Sequence, residues 1–245
     1  YNAYQELIKK DYVKGYRSFF NKNLFTNGEI FNYITLIEVL EHILNPLNFL
    51  KEIAKVMNKE SLLFIEVPLF NNHKSDLLTI DHINMFTEKN IKNLFQLAGF
   101  EIIKENITNR VPMQFIIKLS NNAEIINLLK EDPLCILSQS QEYIDKVLKD
   151  ISNAKDDKLS VYGKNVVIDY LLDNGFIDIK NIICMINDNP AYQGKNKWRN
   201  TIDVVSLDEF ISKQYSKNIF LSMNDVYHNK VKFKLDDFNL LGLFI

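Results

Sequence analysis

The chain has 245 residues, of which 47% are hydrophobic and 24% charged, and its formal net charge at pH 7 is -2. This length allows two modest hydrophobic cores, and the near balance of charges gives no electrostatic argument for a nucleic-acid partner, which requires a concentrated basic face. No apolar run approaches the roughly 20 residues that cross a bilayer, and no signal peptide is visible, so we expect a cytoplasmic protein without membrane insertion.

The two cysteines indicate neither a metal site nor a disulfide. Cys135 and Cys184 lie far apart, without a CxxC motif and without a histidine at ligand spacing. Free cysteine behaves as a small core hydrophobe, so we expect both thiols to be reduced and buried.

The first half begins with a predicted strand, helix and strand. Phe31–Ile37 is a β-branched and aromatic run, which is typical of a strand buried on both faces. Asn45 and Pro46 indicate a helix start, and apolar residues then recur at steps of three and four up to Met57. Leu62–Val67 is the next predicted strand.

A second helix and an antiparallel pair follow. Thr87 is a predicted helix start, and Gly99 occupies a position typical of a helix end. Phe100–Asn106 and Met113–Leu119 are predicted strands separated by a short turn, which favours antiparallel pairing.

In the second half, predicted strands alternate with helices, which indicates parallel βαβ units. The predicted strands are at 159–162, 182–186, 202–205 and 219–222, and the predicted helices at 166–173 and 207–214. An amphipathic helical pattern fills the region before them. We therefore expect three regions, which are residues 1–120, a helical connector at 121–153 and a smaller domain at 154–245.

Two segments of the first half carry a family resemblance. The stretch FNYITLIEVLEHILNPLNFLKEIAKVMNKESLLFIEVP, residues 31–68, resembles the phrase FDxIxxxxVLEHxxDPxxFLxExxRxLxPGGxLxxxxP of class I S-adenosylmethionine-dependent methyltransferases. The stretch DHINMFTEKNIKNLFQLAGFEII, residues 81–103, resembles the family's EHxxxFxxxxLxxLLxxAGFxxx. The resemblance implies an α/β fold with a Rossmann-like methyltransferase sheet, and S-adenosylmethionine as cofactor.

The resemblance also implies cofactor-binding residues. It places Glu38, at the end of the first strand, beside the methionine part of the donor, where α/β sheets bind ligands. Glu41 and His42 are expected to open the following helix and to contact the cofactor or support its site. The structural alternatives are a solvated loop carboxylate for Glu38, and helix capping and packing for Glu41 and His42.

Asp81 and His82 are the candidate catalytic residues. Methyl transfer to a carbon or hydroxyl needs a base, and a histidine oriented by a carboxylate has a suitable pKa. The pair also resembles the Glu-His base region of sugar methyltransferases of this organisation, although a histidine here can simply pack the helix start. No metal is required for such a transfer, and none is expected.

One family feature is absent from the sequence as given. The family holds its cofactor with a glycine-rich loop after the first strand, and no GxGxG occurs in the 245 residues. We therefore expect a segment before Tyr1 that carries this loop, so that the catalytic sheet of this chain is incomplete.

The segment from Leu159 to Phe210 resembles the Rossmann-like C-terminal domain of sugar C-methyltransferases, whose pattern contains YGAGxxGxxLL and DxNPxKQG. Tyr162, Gly163, Asp188 and Gln193 hold matching places, and we expect them to bind the substrate, although Asp188 also suits capping of the Asn-Pro turn. Lys164-Asn165 stand where the pattern has Ala-Gly, and Ile168 stands near its second glycine, which argues against a free dinucleotide site. A homodimer contact is the other role expected of this domain.

These observations predict methyl transfer from S-adenosylmethionine to a sugar, nucleotide-linked or destined for a surface polysaccharide. The partner is then a small-molecule or nucleotide-sugar substrate. Two alternatives stay open, namely a binding or scaffold protein with a methyltransferase-like fold, and a nucleotide-sugar or dinucleotide reductase.

Overall fold

The computed structural model describes residues 16, 18, 20–25, 28–70, 74–79, 81–108, 112–121, 128–154, 158–194, 197–213, 215, 218–222, 231, 235 and 241–244. The strands are β1 Tyr33–Ile37, β2 Leu62–Val67, β3 Phe100–Asn106, β4 Met113–Leu119, β5 Leu159–Tyr162, β6 Ile182–Ile186, β7 Asp203–Val205, β8 Asn218–Leu221 and β9 Leu241–Phe244. The α-helices are α1 Pro46–Ala54, α2 Glu88–Leu97, α3 Pro133–Ala154, α4 Val166–Asp173 and α5 Leu207–Lys213.

The first sheet has four strands in the order β1-β2-β4-β3. β1 and β2 are parallel, and β4 is antiparallel to both of its neighbours, which confirms the predicted antiparallel pair. The core between this sheet and helices α1 and α2 is apolar, and Phe95 and Phe115 meet there edge to face at 5.2 Å between ring centroids. The architecture is a mixed α/β one, consistent with the expected Rossmann-like methyltransferase fold.

The ends of both helices follow their sequence signals. The Asn45 side chain accepts a hydrogen bond from the backbone N–H of Asn48, and Pro46 is the first residue of α1. Thr87 and Asn90 form a reciprocal capping box at the start of α2. Gly99 follows α2 with a φ of 86°, a left-handed conformation that glycine adopts without a Cβ penalty. Each of these predicted boundaries is confirmed.

The prediction that β1 is buried on both faces is wrong. Among the described residues, β1 stands at the end of its sheet, and only Leu36 of its side chains is buried. Tyr33 is 78% exposed and Ile37 is 53% exposed. An apolar, β-branched run indicates that a segment tends to form a strand. It does not by itself indicate whether other elements cover the side chains of that strand.

The second sheet has five strands, all parallel, in the order β7-β6-β5-β8-β9. All four residues of β5 are buried, as expected for the centre of a parallel sheet. The predicted parallel βαβ pattern is confirmed, and β9 is an addition that the sequence pattern did not predict. The division of the chain at residues 120 and 153 stays a prediction.

The helical connector is described in part. The sequence predicts a break in it at Asp132-Pro133, and α3 begins at Pro133, whereas residues 128–132 are not helical. Proline favours the first turn of a helix because its missing N–H would be unsatisfied there in any case. Residues 122–127 of the predicted connector and residues 1–15 of the first predicted region lie outside the described residues.

The two cysteines have different environments. Cys184 is buried in β6, as predicted, whereas Cys135 is exposed in the first turn of α3, so the prediction for Cys135 is wrong. An amphipathic helix has a solvent face, and Cys135 lies on it. In the described part of the chain, none of the helices combines the length and the apolar character that crossing a membrane requires.

Candidate functional site

The chain leaves β1 through Glu38, whose backbone is strained. Glu38 has a φ of 51°, a left-handed conformation that is uncommon for a residue with a side chain. Its backbone N–H donates to the carbonyl of Glu66, on β2, at 3.0 Å, which fixes this conformation. Strained residues held by their surroundings are frequent at binding sites, so this observation supports a functional position.

Glu41 is a buried carboxylate. It is 1% exposed, and in the part of the chain that the structure describes neither of its two oxygens accepts a hydrogen bond. Nε2 of His42 lies 3.7 Å from Glu41 Oε1. Burial raises the pKa of the Glu41 carboxyl because the charged form loses its hydration. A group of this kind is costly unless a ligand satisfies it.

Glu41 and His42 do not open helix α1. They lie in a separate 3-10 helix, Leu40–His42, which precedes α1. The Asn-Pro start of α1 comes later in the chain, so neither residue lies at the N-terminus of α1. The sequence did not predict this extra turn, because a single 3-10 turn has no periodic apolar signal.

The orientation of the His42 ring is fixed by a distant residue. Nδ1 of His42 lies 2.8 Å from the carbonyl oxygen of Asp81. A carbonyl oxygen only accepts, so the hydrogen bond assigns the proton to Nδ1 and leaves the lone pair of neutral His42 on Nε2. That lone pair is the one on the side of Glu41.

Asn84 holds the loop of Asp81 against the turn of Glu41. Its side-chain amide donates to the carbonyl oxygens of Ile43 at 2.6 Å and Leu40 at 3.2 Å. Its backbone N–H donates to the carbonyl of Glu41 at 3.0 Å. Sequence reasoning missed Asn84, since nothing in the motif distinguishes it from other loop asparagines.

The predicted pairing of Asp81 with His82 is wrong. The carboxylate of Asp81 is exposed and lies 3.7 Å from Nδ1 of His42 instead. His82 faces Asp76, whose Oδ2 lies 3.5 Å from His82 Nδ1. Consecutive residues direct their side chains apart, so the orienting carboxylate comes from another turn, the 3-10 helix Lys74–Leu78. The structure does bring His82 to His42, with ring centroids 4.9 Å apart.

Glu38 titrates in an unusual range for a carboxyl. Partial burial, together with the neighbouring carboxylates of Glu41, Glu66 and Asp76, raises its pKa to about 7, and His82 opposes this rise. One side of Glu38 is open to solvent. Ionisable groups crowded in this way are frequent at functional sites.

Beside the carboxyl end of β2, polar side chains are linked to one another by hydrogen bonds. Gln114, on β4, donates to the carboxylate of Glu66 at 2.5 Å and accepts from Asn106 at 3.1 Å. Asn106 and Gln114 also line an open cavity of about 400 Å³. The polar edge near Glu38 therefore extends to β3 and β4.

The predicted substrate-binding residues lie on the other sheet. The hydroxyl of Tyr162 donates to Asp188 Oδ2 at 2.5 Å, and burial together with Asp188 raises the pKa of Tyr162 above its usual range. Gly163 follows β5 with a φ of 79°, and its N–H donates to the carbonyl of Ile186 at 2.9 Å. These residues lie where parallel strands end, the edge at which such sheets bind ligands.

Gln193 lies in the loop region after β6, and its side chain makes a hydrogen bond within that region. Its side-chain amide donates to the carbonyl of Asn187 at 2.7 Å. Asn165, at a position where the resembled pattern has glycine, caps α4 by accepting from the N–H of Val167 and accepts from Ser222 Oγ at 2.8 Å. The loop is thus closed by side chains at the place where a pyrophosphate would need open backbone N–H groups.

Residues 5–105 match a family model described as "Methyltransferase domain". The matched range includes Glu38, Glu41, His42, Asp81 and His82. The match supports the prediction of a methyltransferase. It ends before β4, so it does not extend to the second sheet.

The solved structures similar to this chain include methyltransferases. The mitomycin 7-O-methyltransferase MmcR is 16% identical with a TM-score of 0.33, over 38% of this chain and 30% of MmcR. RosA of Streptomyces davawensis, an N,N-8-amino-8-demethyl-D-riboflavin dimethyltransferase, is 18% identical with a TM-score of 0.33, over 39% of this chain and 32% of RosA. LepI in complex with SAM has 18% identity and a TM-score of 0.33.

This chain spans about a third or less of the length of each of these three proteins. TM-scores of this size support no conclusion about fold or function. No curated protein matches the chain.

Proposed function

We propose that the protein transfers a methyl group from S-adenosylmethionine to a sugar, nucleotide-linked or destined for a surface polysaccharide. The observation that carries the proposal is that the methyltransferase-domain match contains the residues gathered at the carboxyl end of β1. Strained Glu38, buried Glu41 and the His42–His82 ring pair stand together there.

In this proposal Glu38 binds the methionine part of the donor. Its carboxylate can accept hydrogen bonds from the donor's ammonium group, and the strained backbone directs it away from the strand. The 3-10 helix with Glu41 and His42 supports the position of Glu38. Because the pKa of Glu38 is about 7, binding of a cation favours its ionised form.

His82 is the proposed base, and Asp76 is its orienting carboxylate in place of Asp81. The acceptor hydroxyl or carbon loses a proton to a ring nitrogen of His82 while the methyl group moves from sulfur to the acceptor. Alignment of the two reactants and the exclusion of water supply most of the rate enhancement, and the base adds roughly 10² to 10⁴-fold.

The second sheet contributes to acceptor binding in this proposal. Asp188 is exposed, and it receives the Tyr162 hydroxyl on one oxygen, so its other lone pairs can accept hydrogen bonds from sugar hydroxyl groups. Gly163 allows close approach of the acceptor to the end of β5. The sugar is the acceptor class suggested by the resemblance of this segment to sugar-modifying enzymes.

Two measurements on the full-length protein test the proposal. Calorimetric titration should show saturable binding of S-adenosylmethionine, weakened at least about tenfold by Glu38→Ala and unchanged by Glu60→Gln, which removes an exposed carboxylate elsewhere. Methyl transfer from labelled donor to nucleotide sugars should fall at least about 100-fold in His82→Gln while donor binding persists. Absence of donor binding to the wild-type protein would refute the proposal.

The second candidate is a binding or scaffold protein with a methyltransferase-like fold. The same titration separates the two candidates, because a protein that binds a nucleotide sugar but no S-adenosylmethionine fits only the second.

A further inference from the structure

The side chains of Glu41, His42 and His82 form a compact group of metal-ligand type. One ligand atom from each lies within 4.8 Å of the others. The three residues come from two segments, the 3-10 helix after β1 and the loop before α2, which Asn84 joins by three hydrogen bonds. The group is therefore built by the fold, and two neighbouring segments have to be fixed for it to exist.

We propose that Glu41, His42 and His82 bind a divalent first-row transition-metal ion, of the Mn²⁺ or Zn²⁺ kind. The expectation from the sequence was that no metal is needed, and this inference departs from it. It rests on the geometry of the three side chains and not on methyl transfer, so it stands or falls separately from the proposed function.

The first argument is the isolation of Glu41. Its carboxylate is almost completely buried, and among the described residues neither oxygen accepts a hydrogen bond, although buried carboxylates ordinarily accept several. Its ion-pair contact is to His42, a histidine that is cationic only when protonated. A bound cation would supply the missing charge and coordinate the oxygen that now has no partner.

The second argument is the direction of the His42 ring. Histidine ligands usually donate one ring N–H to a carbonyl or carboxylate and coordinate the metal with the other nitrogen. His42 donates Nδ1–H to the carbonyl of Asp81 at 2.8 Å, and its free Nε2 lies 3.7 Å from Glu41 Oε1. In a tetrahedral zinc site, ligand atoms lie about 3.3 Å apart, so this pair would have to close by only a few tenths of an ångström.

His82 is the third member of the group. Its ring and that of His42 meet edge to face, and Asp76 lies 3.5 Å from its Nδ1, in a position to orient it. His82 Nδ1 is buried and has no hydrogen-bond partner within the described residues. Glu38 adds a further carboxylate to the same crowded space.

The chemistry of the ligands selects the ion. Two imidazoles favour a transition metal over Mg²⁺ or Ca²⁺, which prefer oxygen ligands, and a carboxylate suits Mn²⁺ and Zn²⁺. The ammonium group of a methyl donor could satisfy Glu41, but it would leave both imidazole nitrogens unused. The ion-bound state and the state in which His82 acts as a base are therefore separate states of the protein, and His82 is available as a base only when no ion is bound.

Metal titration of the full chain without donor or acceptor tests the inference. After treatment with chelator, Mn²⁺ is titrated with detection of the free ion by electron paramagnetic resonance, and Zn²⁺ by competition with a chromophoric chelator. One ion per chain should bind, with affinity lowered at least about 100-fold in Glu41→Gln. Glu60→Gln, at an exposed position, should bind like the wild type. Mg²⁺ should compete poorly.

Thermal unfolding is a second measurement, and it distinguishes a metal-binding carboxylate from one that only stabilises the fold. Without metal, Glu41→Gln should unfold at the same or a higher temperature than the wild type, since it removes an unsatisfied buried charge. Added Zn²⁺ should raise the unfolding temperature of the wild type only. Absence of saturable binding of both ions to the wild type, or equal affinity in Glu41→Gln, would overturn the inference.

Discussion

The side-chain amide of Asn84 lies 2.6 Å from the carbonyl oxygen of Ile43, and through this bond the loop that carries His82 is held to the turn that carries Glu41. The residues on either side of this contact are far apart in the sequence. The candidate site therefore exists only after the loop and the turn have met, and Asn84 is the residue that fixes their distance.

Asn84→Asp tests this role. The substitution keeps the shape of the side chain but replaces the amide donor by a carboxylate oxygen that faces two carbonyl oxygens. We expect the free energy of unfolding in urea to fall by about 1–3 kcal/mol. Asn32→Asp, at an exposed position before β1, is the control and should change it by less than about 0.5 kcal/mol. Equal effects of the two substitutions would contradict the proposed clamp.

Glu38 should show opposite effects on stability and on ligand binding. Glu38→Gly removes the side chain from a left-handed backbone position, so we expect the free energy of unfolding to rise by about 1 kcal/mol. Donor binding should weaken at the same time. Glu38→Gln keeps the strained backbone, and it should weaken binding without the gain in stability. Urea unfolding and calorimetry on the three proteins make the comparison.

Thr87 joins the start of α2 to the segment before α3. Its side chain accepts from the N–H of Asn90 at 3.2 Å and donates to Glu131 at 2.6 Å. Thr87→Ala should lower the free energy of unfolding by about 1–2 kcal/mol, whereas Thr87→Ser keeps both bonds and should restore most of it. If serine destabilises the protein as much as alanine, the hydroxyl is not the stabilising group.

The two thiols should differ in reactivity. Cys135 is exposed, while Cys184 is fully buried and burial raises the pKa of its thiol. We expect one thiol per chain to react with a chromogenic disulfide reagent in the folded protein, and two after unfolding in guanidinium chloride. Cys135→Ser should abolish the fast reaction. Rapid reaction of both thiols in native buffer would contradict the burial of β6.

The sequence predicted the elements with strong local signals. The Asn45-Pro46 and Thr87-Asn90 helix starts, the hairpin of β3 and β4 and the parallel second sheet are all set by residues near one another in the chain. Exposure was less predictable, as Tyr33 and Cys135 show, because it depends on which other elements cover a residue.

The composition of the candidate site was predicted better than its pairing. The family resemblance pointed to Glu38, Glu41, His42 and His82 as site residues, and the structure brings these side chains together. The orienting partner of His82 is nevertheless Asp76 and not Asp81. No local rule reveals this, since the partner is chosen by the path of the loop between the two residues.

The short helix that carries Asp76 packs against elements of the second sheet. Leu78, two residues after Asp76, packs against the apolar core of the second sheet, and the helix Lys74–Leu78 contacts α3 and α4. The position of Asp76 beside His82 is thus determined partly by packing that belongs to the second sheet. We therefore expect a substitution in the apolar core beneath α4 to change the orientation of the His82 ring, although the substituted residue lies outside the candidate site.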